Sequence, residues 1–296
     1  MTESFIDVPG GRVWCDRVGG ESEHAPLVCV HGGPGMPSHY LDSLRGLSDA
    51  RPVVLYDQLG CGRSDRPSST EHYRAERFVE ELGVIRDALG LDRFHLLGQS
   101  WGGMLAVMYS LTRPIGLVSL VLASPLIDVQ RWLADCHALK LRLPRDVRSA
   151  IEHHEERGFT TCPEYAAANF EWWRRHVCRL RPFPDEVERA LSGLGERCYE
   201  TMWGPSEFSC TGNLRDVHLS SHLEEISVPT LFTCGRYDEA TPASIRHFAG
   251  LVPGARLRVF TGSAHMAHLE ESEAYLDCVR EFLEEVDASD RVYAER

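Results

Sequence analysis

A serine hydroxyl attacks a carbonyl only when a neighbouring imidazole removes its proton and a third group holds that imidazole in place. Gly98-Gln99-Ser100-Trp101-Gly102 follows the apolar run Phe94-His95-Leu96-Leu97 and precedes a helical pattern that begins at Met104. A turn from strand to helix brings backbone segments so close that side chains at the two glycine positions would clash, and it forces the central serine into a strained, exposed conformation. Ser100 is the expected nucleophile of an acyl-transfer reaction.

Such an elbow belongs to the α/β-hydrolase fold, in which the partners follow in the order serine, acid, histidine. Downstream, the strand-like run 231–234 leads into Gly235-Arg236-Tyr237-Asp238-Glu239, and the run ending at Phe260 leads into Gly262-Ser263-Ala264-His265-Met266-Ala267-His268. Asp238 is the expected acid and His265 the base, because His265 comes first off its strand and sits among small residues. His268 is the second imidazole, expected to line the site or to bond near it. Two amides must face the developing oxyanion. One is that of Trp101, after the nucleophile, and the other is assigned to Gly33 in the loop His31-Gly32-Gly33-Pro34-Gly35. His31 is read as a structural residue bonded to backbone, and the glycine-shaped loop 57–65 is assigned no chemistry.

These loops need a parallel sheet to carry them. Segments 6–8 and 13–17 read as an antiparallel pair, and 27–30, 53–56, 94–97 and 117–123 as buried parallel strands. Residues 74–89 carry Phe78, Leu82, Ile85 and Leu89 at helical spacing before Gly90. Strand patterns resume at 230–234 and 256–260, and an amphipathic helix closes the chain near 275–286. Between about 125 and 227 the pattern is charged, aromatic and helical. The expected architecture is a core of residues 1–124 and 228–296 with a helical cap at 125–227 inserted between its halves.

With 296 residues, 43% of them hydrophobic, and a net charge of −13, the chain has the composition of an ordinary globular protein. The acidic balance argues against nucleic acid, whose phosphates demand basic surface, and no apolar run approaches the length of a bilayer span. Residues 1–10 lack the pattern of a secretory signal, so a cytoplasmic location is expected. Ten cysteines are scattered singly without a CxxC pair, which points to free thiols. Neither an HExxH motif nor a Cys/His cluster at ligand spacing appears, and no metal or other cofactor is expected.

The motifs HGGPG at His31, DQLGCGRS at Asp57, GQSWGG at Gly98, GPSEF at Gly204, GRYDE at Gly235 and GSAHMAHLE at Gly262 resemble, in that order, those of the proline iminopeptidases. The resemblance implies an aminopeptidase or amino acid amidase that removes one amino-terminal residue, often proline, beneath a helical cap. It also implies that Glu207 and Glu239 hold the free amino group of a small-molecule or short-peptide substrate. Trp132, Trp172, Trp173 and Trp203 could wall a pocket for a proline-like ring or simply pack the cap. Two other readings stay open: an esterase or amidase that ignores the amine, and a ligand-binding protein built on a hydrolase fold.

Overall fold

The computed structural model describes residues 2–294; Met1, Glu295 and Arg296, at the ends of the expected core segments, lie outside the described residues. The central strands are short runs rich in branched aliphatic residues because both faces of the sheet are covered there. Strands β3 (Leu27–Val30), β4 (Val53–Tyr56) and β5 (Phe94–Gln99) are buried along their whole length. They are joined by β1 (Thr2–Val8), β2 (Gly11–Val18), β6 (Leu117–Ala123), β7 (Thr230–Gly235) and β8 (Arg256–Phe260) in one sheet of order β1-β2-β4-β3-β5-β6-β7-β8. β1 and β2 are antiparallel, β2 is antiparallel to β4, and every other pairing is parallel. The strands expected from the sequence are therefore all present.

Parallel pairing has one decisive consequence: the loops that follow β3, β5, β6, β7 and β8 open at the same edge of the sheet. Helices α1 (Ala75–Ala88), α2 (Trp101–Leu111), α8 (Pro242–Leu251), α9 (Ala267–Glu270) and α10 (Ser272–Ala294) accompany the sheet. Between β6 and β7 lies an insertion of α3 (Val129–Lys140), α4 (Arg145–Glu156), α5 (Pro163–Trp172), α6 (Asp185–Ser192) and α7 (Glu196–Met202), with a π-helical turn over Trp173–Val177. α2 starts three residues before the expected Met104, since Trp101, Gly102 and Gly103 are all buried and show no alternation for periodicity to detect. All ten cysteines are free, eight of them buried. No described helix is long and apolar enough to cross a membrane.

Candidate active site

Ser100 stands between β5 and α2 at φ 57° and ψ −120°, a positive-φ conformation that few residues with side chains adopt. Close approach explains the glycines on either side. A Cβ on Gly98 would lie 2.1 Å from the carbonyl oxygen of Gly102, and one on Gly102 would lie 2.2 Å from that of Val30. The strained backbone is held by the next strand, for Ser100 N–H donates to the carbonyl of Ala123 at 3.0 Å.

Asp238 follows β7 and His265 follows β8, and the side chains meet: Nδ1 of His265 donates to Oδ1 of Asp238 at 2.7 Å. That bond leaves Nε2 as the bare acceptor required of a general base. Asp238 is 1% exposed, and its remaining bonds come from Ala240 N–H at 2.8 Å, Gly235 N–H at 3.2 Å and Ser124 Oγ at 2.6 Å. Ser124 was not foreseen. Its signal lies in topology, since it immediately follows β6, whose sheet neighbour is β7, and its N–H donates to Thr233 across that pair at 2.7 Å. Among the described residues no hydrogen bond joins Ser100 Oγ to His265 Nε2, so of the two contacts expected of His265 only the one to Asp238 is formed. Both residues line one cavity, and contacts between nucleophile and base tighten in the substrate complex.

A second unforeseen network ties the loops together. Gly32 N–H donates to the hydroxyl of Tyr40 at 2.6 Å, Tyr40 donates to Oε1 of Gln99 at 2.7 Å, and Nε2 of Gln99 donates to the carbonyl of His265 at 3.2 Å. Tyr40 takes the Gly32 amide, whereas the amides of Gly33 and Trp101 have no acceptor among the described residues. Gly33, at φ 111°, lines the cavity. His268 donates through Nε2 to the carbonyl of Tyr40 at 3.0 Å, and burial lowers its pKa to about 4. His31 accepts from Gln58 N–H at 2.8 Å and is likewise lowered by burial to about 4. Neither lines the cavity. In the 57–65 loop, Asp57 is a buried ion-pair partner of Arg63 at 2.7 Å; burial would raise its carboxyl, but the guanidinium overrides this and holds it at about 2.

The cavity measures about 340 Å³ and is also lined by Glu207 and Glu239, but by no Lys or Arg. Glu239 is 3% exposed and accepts Trp172 Nε1–H at 2.9 Å, while Glu207 accepts the hydroxyl of Tyr199 at 3.1 Å. Burial, and then the charge of Glu207, push the Glu239 carboxyl well above the usual range. Burial also raises Glu207, with His265 and the Tyr199 bond opposing. The basic group that Glu239 meets is the His265 imidazole, whose Nε2 lies 3.8 Å from Oε1. Of the four tryptophans only Trp173 faces the cavity. Trp172 holds Glu239, Trp132 packs edge-on against the His265 ring with centroids 5.6 Å apart, and Trp203 bonds the carbonyl of Ser206 at 2.9 Å. Trp172 and Trp203 thus satisfy their buried indole N–H groups, as such donors usually are, whereas Nε1 of Trp132 finds no partner among the described residues and its ring serves packing alone.

A strained serine at the end of a parallel strand, beside an aspartate–histidine pair from the neighbouring loops, defines an α/β-hydrolase, and a model of the α/β-hydrolase fold matches residues 25–272. A proline iminopeptidase of Heyndrickxia coagulans is 44% identical over 96% of this chain and 99% of its own. The crystal structure of the proline iminopeptidase of Mycobacterium smegmatis superposes with a TM-score of 0.91 at 34% identity, covering 98% of this chain and all of that one. That of VinJ does so with a TM-score of 0.93 at 36% identity over 96% and 99% of the two chains. The chain belongs to the proline iminopeptidase family. It is a hydrolytic enzyme whose family function is that of a serine aminopeptidase.

Proposed function

We propose that this enzyme hydrolyses the amide bond after a free amino-terminal residue, proline among the candidates as in the names of its relatives, in a short peptide or an amino acid amide. The observation that carries the reading is the pair Glu207 and Glu239, two carboxylates converging on the cavity that holds Ser100 and His265, with no Lys or Arg in its lining. Buried carboxylates that repel one another are stabilised by a ligand's ammonium group, which selects substrates by charge and hydrogen bonding. In this reading Ser100 attacks the carbonyl, His265 takes its proton and delivers it to the leaving amine, and Asp238 keeps the imidazole in the correct tautomer; a water that gives its proton to His265 then attacks the acyl group and releases Ser100, which takes the proton back. The amides of Gly33 and Trp101 stabilise the oxyanion. Residues 125–227 act as a lid that contributes Glu207 and Trp173 and encloses the substrate, while residues 1–124 and 228–296 supply the catalytic loops.

The Glu207→Gln and Glu239→Gln variants test the anchors. A charge-assisted bond contributes about 1.5 to 3 kcal/mol, so each variant should lose roughly ten- to hundredfold in kcat/KM on free-amine substrates while keeping its rate of labelling by a small uncharged fluorophosphonate. Stability should move the other way. A carboxyl whose folded pKa is raised binds more protons when folded than when unfolded, so it destabilises the fold as pH rises from the unfolded value of about 4.3 through the raised one. Glu239→Gln should therefore melt higher than the parent at pH 7, and the difference should vanish near pH 4. Unchanged kcat/KM in both variants would remove the anchor assignment.

A further inference from the structure

Glu270 closes the motif that carries His265, yet it does not line the cavity. Its two oxygens reach different parts of the chain. Oε2 accepts the N–H of Ala264, the residue before His265, at 2.7 Å, and Oε1 accepts the N–H of Arg179 in the insertion at 2.7 Å. Around this carboxylate the insertion is stitched to both loops of the proposed acid–base pair. Met266 N–H donates to the carbonyl of Val177 at 3.1 Å, and Glu239 N–H to that of His176 at 3.3 Å. The His176 ring donates through Nδ1 to the carbonyl of Tyr237 at 2.8 Å. On the insertion side these bonds are made by residues of the π-helical turn Trp173–Val177 and by Arg179 two residues beyond it, and turns of this kind are frequent at functional sites. The same turn presents Trp173 to the cavity, and the residue before it, Trp172, bonds Glu239.

We infer that Glu270 is a positioning residue: by holding Ala264 and Arg179 together it locks the π-turn of the insertion onto the His265 loop, so that one element aligns both the base and the substrate-facing residues. The inference rests on the reading of His265 as general base. A carboxylate can do this because both of its oxygens accept, and bonds from backbone N–H to an anion are stronger than neutral ones. Glutamine cannot. It has one acceptor oxygen, and its NH₂ group would face a second N–H, so one of the two links must open. Glu271 provides a matched comparison: Oε2 of this neighbour accepts Gly262 N–H at 2.8 Å and the Ser263 hydroxyl at 2.5 Å, bonds that stay within the His265 loop.

The test compares the full-length Glu270→Gln, Glu270→Ala and Glu271→Gln variants with the parent. Loss of alignment without loss of the cavity should lower kcat of Glu270→Gln on a free amino acid p-nitroanilide about tenfold, with KM changed less than about twofold. Fluorophosphonate labelling of Ser100 should slow by a similar factor, the Ala variant should lose more, and Glu271→Gln should melt at least as low while losing less kcat. Equal losses of kcat in Glu270→Gln and Glu271→Gln, in step with melting temperature, would overturn the inference, as would unchanged kcat in Glu270→Gln. A measurement on the unmutated protein guards against misfolding. Hydrogen exchange before and after labelling of Ser100 should show peptides 173–179 and 262–268 gaining protection together, and a change confined to one of them contradicts the coupling. A His265→Ala variant labelled at the parental rate would instead remove the base assignment and leave the Glu270 bridge standing as a structural link.

Discussion

Replacing Ser100 with Ala should lower kcat by about 10⁴- to 10⁶-fold with the fold and melting temperature nearly unchanged. The size follows from what remains. Without an oxygen to attack, the acyl-enzyme route is closed, and only the amides of Gly33 and Trp101 and the binding of substrate can assist attack by water. The fold should be indifferent because Ser100 Oγ makes no hydrogen bond among the described residues, so its removal orphans no partner. Alanine keeps a Cβ and inherits the φ of 57°, so the strain of the elbow is neither relieved nor increased. Turnover and inhibitor complexes of this variant separate binding from chemistry. Activity within tenfold of the parent would remove the nucleophile assignment.

Asp238→Asn should cost about 10³- to 10⁴-fold in kcat, a loss second only to that of the nucleophile. Asp238 accepts four hydrogen bonds, from His265, Ala240, Gly235 and Ser124. Asparagine has one acceptor oxygen and an NH₂ group. If the oxygen faces His265 and Ala240, the NH₂ meets the donating amide of Gly235. If it faces Gly235 and Ser124, the NH₂ meets Nδ1 of His265 and drives the imidazole into the tautomer whose Nε2 carries the proton, which cannot accept one from Ser100. Either way a buried donor is left unsatisfied, at about 1 to 3 kcal/mol, so the variant should also melt lower than the parent. Pre-steady-state acylation rates with an activated substrate check the tautomer argument, and an acylation rate within tenfold of the parent contradicts it.

The positions of Ser100, Asp238 and His265 were legible because each follows a strand, largely apolar before Ser100 and Asp238 and alternating before His265, and glycines mark the turns. The parallel sheet was legible for the same reason. Ser124, Tyr40 and Gln99 were not. Their roles depend on which strands are neighbours, and the order β5-β6-β7 is a property of the sheet rather than of any local pattern. The insertion hid more: helical periodicity announced a set of helices, but nothing in Glu171-Trp172-Trp173-Arg174 says that one indole will bond Glu239 while the next faces the cavity. Glu207 and Glu239 stood out only through their family motifs, because an isolated glutamate in a loop is usually solvated. Of the two contacts expected of His265, the bond to Asp238 is formed and no bond to Ser100 is present among the described residues.

The requirement for a free amine is tested most directly by the ratio of kcat/KM for an amino acid p-nitroanilide and its N-acetyl derivative, measured on the unmodified enzyme at pH 7 with proline and at least one primary amino acid. Acetylation removes the positive charge and adds bulk where Glu207 and Glu239 converge, so the ratio should exceed the roughly hundredfold upper cost of losing one anchor. Equal turnover of the free and acetylated substrates would contradict the aminopeptidase reading and leave a hydrolase that does not use its two buried carboxylates to choose what it cleaves.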